Sequence, residues 1–314
     1  MFVARGIGVS LAIFVLMYIP LSLVISPAWQ VLQGVLKRRS AQDSANALFF
    51  LRILPFALST IFTLVFTLPS FLLLEPRASG ESVGTIPMAL GFVCLVVVAA
   101  GILRAISAQR KTSRALIKWL DGSTVMEPES PVPIFRTGKD APTLTVAGVC
   151  DPKVLVSEAA LAALSPSELR TALKHELAHV RSHDNLKKLI FRLAAFPGMA
   201  RLERAWSEEA ELAADDAAVA SFDDALDLAA ALIKVSRICA SPSPALTTGL
   251  LHSSTALHLR VQRLFSWKEN SASVPSGRGR WYLALSSVAA LALVVTTYSS
   301  ALSQLHTVTE WLVR

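Results

Sequence analysis

Ser165-Pro166-Ser167-Glu168-Leu169-Arg170-Thr171-Ala172-Leu173-Lys174-His175-Glu176-Leu177-Ala178-His179 sets an H-E-x-x-H pattern inside a clearly signalled helix. Ser165 suits the N-cap, Pro166 the first helical position, and Glu168 completes a capping box. Leu169, Leu173, Leu177 and Val180 form an apolar stripe at helical spacing. Two imidazoles four residues apart leave the same helix face, where both can hold one zinc ion. Glu176 then sits beside the metal, placed to take a proton from a water that the metal activates. The pattern would arise by chance in roughly one chain in two hundred of this length and composition, so it organises the rest of the reading.

The surroundings are those of a membrane protein. The 314 residues are 53% hydrophobic and 17% charged, whereas soluble domains are nearer a quarter charged. Four blocks have about 20 or more mostly apolar residues, enough to cross ~30 Å of hydrocarbon. They are Ile7–Ser26, Leu48–Leu74, Pro87–Ser107 and Trp281–Leu302. The second contains Arg52 and Pro55, which moves its spanning part beyond Pro55. The first is read as a span, since its apolar run exceeds a signal-peptide core and no A-x-A-like site follows.

The net charge is +7, and its placement orients the spans. Lys37, Arg38 and Arg39 follow the first block. Arg104, Arg110, Lys111, Arg114 and Lys118 follow the third, and Lys268, Arg278 and Arg280 precede the fourth. The positive-inside rule puts the N-terminus outside, 108–280 in the cytoplasm and the C-terminal tail outside. The 104–118 run reads as an anchor on anionic lipid, with no direct nucleic-acid binding. Cys94, Cys150 and Cys239 form no C-x-x-C, which argues against disulfides and thiolate ligation.

The predicted organisation is a three-helix transmembrane region over 1–107, a juxtamembrane linker over 108–142, and a peptidase domain over 143–268. A linker at 269–280, a fourth transmembrane helix at 281–302 and an extracellular tail at 303–314 complete it. Thr143–Gly148 and Lys153–Val156 read as short strands. Helices follow at about 185–195, 202–220, 225–239 and 255–265. The expected fold is mostly α, with an α+β zincin-like domain between the third and fourth spans.

A catalytic zinc site needs a third protein ligand and an open position. His183, Glu203, Glu208, Glu209, Glu211, Asp215, His252 and His258 are the available donors. If the helix continues, His183 lies about 6 Å further along it, an awkward direction from which to close a tetrahedron. Glu211 and Asp215 are an i,i+4 pair on an alanine-rich helix. Glu211 then ligates while Asp215 orients an imidazole. The competing reading makes Glu208, Glu209 and Glu211 a solvated acidic face. His252 and His258 are either oxyanion stabilisers or ordinary surface side chains, and Arg260 and Arg263 suit salt bridges between helices.

H-E-L-A-H-V-R-S-H-D at 175–184, followed by E-x-E-L-A-A-D-D-A-A at 209–218, resembles the membrane metallopeptidases of the BlaR/MecR antirepressor type. HtpX-like and CAAX prenyl proteases share the gluzincin pattern, and Arg260–Leu264 resembles a stretch that follows the active site in both groups. The resemblance spans roughly 1–302. It implies one Zn2+ per chain on His175, His179 and Glu211, with Glu176 as general base. Asp215, His183 and Asp184 would lie behind the ligands. The expected activity is endoproteolysis of a cytoplasmic protein, a winged-helix repressor of the BlaI type, by a multi-pass plasma-membrane enzyme without the penicillin-binding sensor domain. An HtpX-like quality-control protease and a non-catalytic zinc-bound signalling scaffold are the alternatives. An extended substrate is expected to add a strand to an edge near 143–156.

Overall fold

The computed structural model describes residues 2–36, 39–74, 84–127, 132–138, 141–196, 198–238, 247–249, 254–267, 298, 300–305 and 307. The first three apolar blocks are helices that run past their hydrophobic limits. The first is α1, Phe2–Leu36. The second comprises α2, Ala41–Phe62, a π-helical turn at Thr63–Thr67 and α3, Leu68–Leu74. The third is α4, Thr85–Leu120. Arg5–Gln30, Ala41–Leu74 and Thr85–Leu120 are each long and apolar enough to cross a membrane. Leu73, Phe92 and Leu103 face outward, a placement that suits hydrocarbon better than water. Of the expected fourth span, residues 281–297 and 299 lie outside the described residues.

The chain divides into two compact units. One contains Met1–Ala28, Ile53–Ala100 and Ser273–Arg314. Its rings Phe14, Tyr18 and Phe56 stand 5.5–5.9 Å apart, a spacing favoured by the aromatic quadrupole. The Tyr298 hydroxyl donates to the Val65 carbonyl at 2.8 Å, and Ser70 Oγ donates to the Leu302 carbonyl at 3.0 Å.

The other unit contains Trp29–Arg52 and Gly101–Ala272. Its sheet has the order β1-β2-β4-β3-β5. The strands are β1 at Thr124–Glu127, β2 at Ile134–Thr137, β3 at Leu144–Ala147, β4 at Lys153–Ser157 and β5 at Thr247–Gly249. β2 and β4 run parallel, and the other pairs are antiparallel. Two expectations are corrected here. The stretch taken as a linker at 108–142 holds the end of α4 and two paired strands. The strands at 143–156 are interior to the sheet, so both of their ladders are already used and the outer strands are β1 and β5. Four-residue strands between Pro and Gly carry little periodicity, and only tertiary pairing reveals them.

The helices are α5 at Glu158–Ala163, α6 at Pro166–Arg181, α7 at Asp184–Leu193, α8 at Ala200–Ala218, α9 at Phe222–Ile238 and α10 at Ser254–Phe265. α6 packs against β3, α7, α8 and α9. Val146, Val154, Val156, Ala172, Leu228 and Leu232 form the core under it, each at most 1% exposed. Asn185 on α7 donates to the Val146 and Gly148 carbonyls, which ties that helix to β3.

The predicted capping box is present: Ser165 Oγ accepts from the Glu168 amide, and the Glu168 carboxylate accepts from the Ser165 amide. Lys234 on α9 donates to both Glu168 oxygens at 2.8 Å. Burial pushes the Glu168 carboxyl up, but Lys234 and the Ser165 amide outweigh it and hold it below its ordinary value. A depressed folded value contributes stability above the unfolded value, near pH ~4.3, and that stability is lost as pH falls through the folded one. Glu168→Gln should flatten this part of the acid limb in denaturation curves. An unchanged limb would count against it.

Candidate metal centre

α6 has one polar side that is fully buried. His175 and Glu176 are 0% exposed, and His179 is 2% exposed. An unpartnered polar group there costs several kcal/mol, so most of these groups pair with one another. α8 crosses this side and presents Glu211 and Asp215, both buried, while Glu208 faces solvent. The acidic run is therefore split by helical phase between solvent and the site.

His175 Nε2 and His179 Nε2 lie 3.2 Å apart. Glu211 places Oε2 3.6 Å from the first and Oε1 3.7 Å from the second. Among the described residues these three side chains form the only His/Cys/Asp/Glu group able to hold a metal ion. Zinc distances of ~2.0–2.2 Å with tetrahedral angles require ligand atoms about 3.3–3.5 Å apart. The observed triangle fits, and two nitrogens with one carboxylate oxygen suit a borderline-soft divalent ion.

The far side of each imidazole faces a carboxylate, and that of His179 is hydrogen-bonded to it. Asp184 Oδ2 is 2.7 Å from His179 Nδ1, and Asp215 Oδ1 is 3.0 Å from His175 Nδ1. A carboxylate at Nδ1 favours the proton there and turns the Nε2 lone pair inward. Two lone pairs 3.2 Å apart then call for a cation between them. Asp184 reaches back because α6 ends at Arg181 and His183 takes a left-handed conformation, φ 55°. That turn starts α7. The structure leaves the His183 side chain exposed, so this residue contributes backbone geometry, which its side-chain type does not signal. His258 is exposed on α10, Glu203 lies in the first turn of α8 and pairs with Arg52, and His252 falls outside the described residues.

Arg260 on α10 is buried against the carboxylates. Its Nε and Nη2 donate to Asp215 at 2.8 and 2.6 Å, and Nη1 donates to Glu211 Oε2 at 2.9 Å. Sequence reading placed it only as a helix anchor, because a lone Arg on a short helix carries no metal-site signal. Arg263 makes the outer pair with Asp216 at 2.7 Å.

The electrostatics favour positive charge at the triangle. Burial opposes ionisation of Glu211, yet the Arg260 and His179 charges hold its carboxyl well below the usual range. Burial likewise works against Asp215, and Arg260 lowers it. Burial would lower His179, but the Glu211 charge and the Asp184 hydrogen bond raise it to about 10. Protons and a metal ion thus compete for the same atoms. Burial raises Glu176 to about 7, against the lowering influence of both imidazoles. Neither Glu176 oxygen has a hydrogen-bond partner among the described residues. Lys188, one turn beyond Asp184, has its pKa lowered by burial, while Glu211, Asp184 and Glu176 oppose that shift.

Asp184→Asn keeps the shape and weakens control of the His179 tautomer. Metal affinity should fall about 10–100-fold, read by competition with a chelating dye. Unchanged affinity would show that Asp184 serves only the turn.

Residues 146–268 match the family model of Peptidase family M48. Over this stretch the chain is similar to the M48 metallopeptidases. The match spans β4, β5, the His175–His179 helix, Glu211 and Arg260, and therefore the whole geometric site. No curated protein matches the chain. The match begins within β3, so β1 and β2 of the same sheet precede it.

Proposed function

We propose that the chain is an integral membrane zinc endopeptidase. His175, His179 and Glu211 hold the ion, and Glu176 is the general base and then the general acid. The observation that carries this reading is the triangle of inward-facing donor atoms, backed by two carboxylates and lying beside a carboxylate with no hydrogen-bond partner among the described residues. A zinc ion there supplies Lewis acidity toward a carbonyl oxygen and toward water. A carboxyl near 7 takes a proton and returns one to a leaving amine at neutral pH. Arg260 keeps Glu211 ionised and aimed, Asp184 keeps His179 in one tautomer, and the Asp215 charge faces His175 Nδ1 at 3.0 Å.

The substrate is proposed to be a cytoplasmic protein. Support comes from the basic run Arg104, Arg110, Lys111, Arg114 and Lys118, which the positive-inside rule puts on the cytoplasmic side. The resemblance of 175–184 and 209–218 to BlaR/MecR peptidases favours a transcriptional regulator of the BlaI type as that protein. Because the site is buried, a peptide reaches it only after part of the wall moves. β5, an outer strand that touches α6, is the pairing edge for an extended segment in place of the interior strands.

The test uses the full chain in nanodiscs with zinc, a winged-helix repressor and an unfolded membrane protein as separate substrates. Cleavage of the repressor alone is expected. Activity should vanish on chelation and return with zinc. Cleavage of both substrates favours the quality-control role, and cleavage of neither by zinc-loaded protein overturns the peptidase reading.

A further inference from the structure

An arginine inside an apolar stretch of helix is costly unless its partners are built for it. Arg52 of α2 is 2% exposed and makes four hydrogen bonds. Its Nε and Nη2 donate to Glu203 Oε1 at 2.9 and 2.7 Å. Its Nη1 donates to the Ala194 carbonyl at 3.0 Å, and Nη2 reaches the Phe191 carbonyl at 3.5 Å. Ala194 and Phe191 lie at the C-terminal end of α7, whose last carbonyls have no partner within the helix. Glu203 lies in the first turn of α8. One guanidinium therefore staples the end of α7 to the beginning of α8.

These two helices carry the groups behind the metal triangle. α7 begins with Asp184, which holds His179, and α8 presents Glu211 and Asp215. The staple continues through further side-chain contacts. The Phe191 ring lies 5.5 Å from that of Phe49 on α2 and 5.0 Å, edge-on, from that of Trp206 on α8. Lys187 Nζ sits 5.7 Å from the Phe49 ring centre and 3.3 Å from Asp184 Oδ1. Asp184 Oδ2 is the atom 2.7 Å from His179. On the other apolar helix, a Cβ at Gly101 would stand 2.1 Å from the Leu193 carbonyl oxygen, so α4 meets the same end of α7 at its backbone.

We infer that Arg52 is a positioning residue for the metal centre, acting through α7 and Lys187 on the Asp184–His179 pair and through Glu203 on α8. This rests on the reading of His175, His179 and Glu211 as a metal site. It makes the second apolar helix part of the mechanical support of that site. A displacement of α2 then reaches His179 through contacts that each have a defined geometry.

The test compares the full chain with Arg52→Met, Arg52→Lys and Lys187→Met variants in nanodiscs. Zinc affinity is measured by dye competition, the cobalt(II) form by its ligand-field absorption, and peptide cleavage in parallel. Arg52→Met and Lys187→Met should each weaken zinc about tenfold and shift the cobalt bands, the lower end of what outer partners of ligands contribute. Arg52→Lys should recover part of the loss, since an ammonium can pair with Glu203 but cannot also span the α7 carbonyls. Should Arg52→Met fail to fold, Lys187→Met decides alone. Wild-type affinity and an unshifted cobalt spectrum in folded Arg52→Met or Lys187→Met protein overturn the inference. Absence of cleavage by the wild type removes the peptidase reading and leaves this comparison intact.

Discussion

Glu176→Gln is expected to lower peptide turnover by about 10²–10⁴-fold, the range for loss of a positioned general base. Zinc binding should be retained. The amide has the same shape as the carboxylate and makes no demand on the triangle of His175, His179 and Glu211, so metal content per chain should match the wild type. Stability should hold or rise. Glu176 is 0% exposed and its carboxylate oxygens have no hydrogen-bond partner among the described residues, which is an expensive way to keep a charge. A neutral amide relieves part of that cost. Loss of activity together with equal or higher thermal stability is the signature of strain kept for chemistry. Turnover at the wild-type rate, or loss of zinc, would remove Glu176 from the role proposed for it.

Arg260→Met is expected to have the largest effect on stability. Three charge-assisted hydrogen bonds of 2.6–2.9 Å join Arg260 to Asp215 and Glu211. Removing one partner of a buried ion pair costs about 3–5 kcal/mol, because the other charge is left in a low dielectric. Here two carboxylates would be stranded. A bound divalent ion compensates part of the Glu211 charge, so the loss should be smaller with zinc than after chelation. Thermal denaturation of the full chain in both conditions reads this difference directly. Equal losses would mean that Arg260 acts by packing alone. Arg260→Lys should recover little, since a single ammonium cannot span both carboxylates in the geometry of the guanidinium fork.

Much of the site could be read before any coordinates because it lies on local signals. The Ser165 cap, Pro166 and Glu168 set the phase of α6, and an i,i+4 spacing brings His175 and His179 to one face whatever the rest of the fold does. Glu211 and Asp215 share a face for the same reason. The helices from 185 to 265 followed from apolar periodicity, and their ends lay within a few residues of those expected. The strands at 124–127, 134–137 and 247–249 were not legible. Each is only three or four residues long, too short for a period of two to register, and exists because a neighbour supplies the other half of its hydrogen bonds.

Sequence alone determined the donor types, their spacing on two helices and the apolar blocks, because helical phase and hydropathy are properties of neighbouring residues. Tertiary structure alone decided which carboxylate faces which imidazole. It turned the chain at His183 so that Asp184 reaches His179, and it brought Arg260 from 45 residues beyond Asp215 to neutralise the pair. It also drew Arg52 out of an apolar run to staple α7 to α8. Apart from the Asp184–His179 pair, which a local turn makes, those contacts join residues distant in the chain, and their free energy appears only when burial removes the water that would otherwise satisfy each charge.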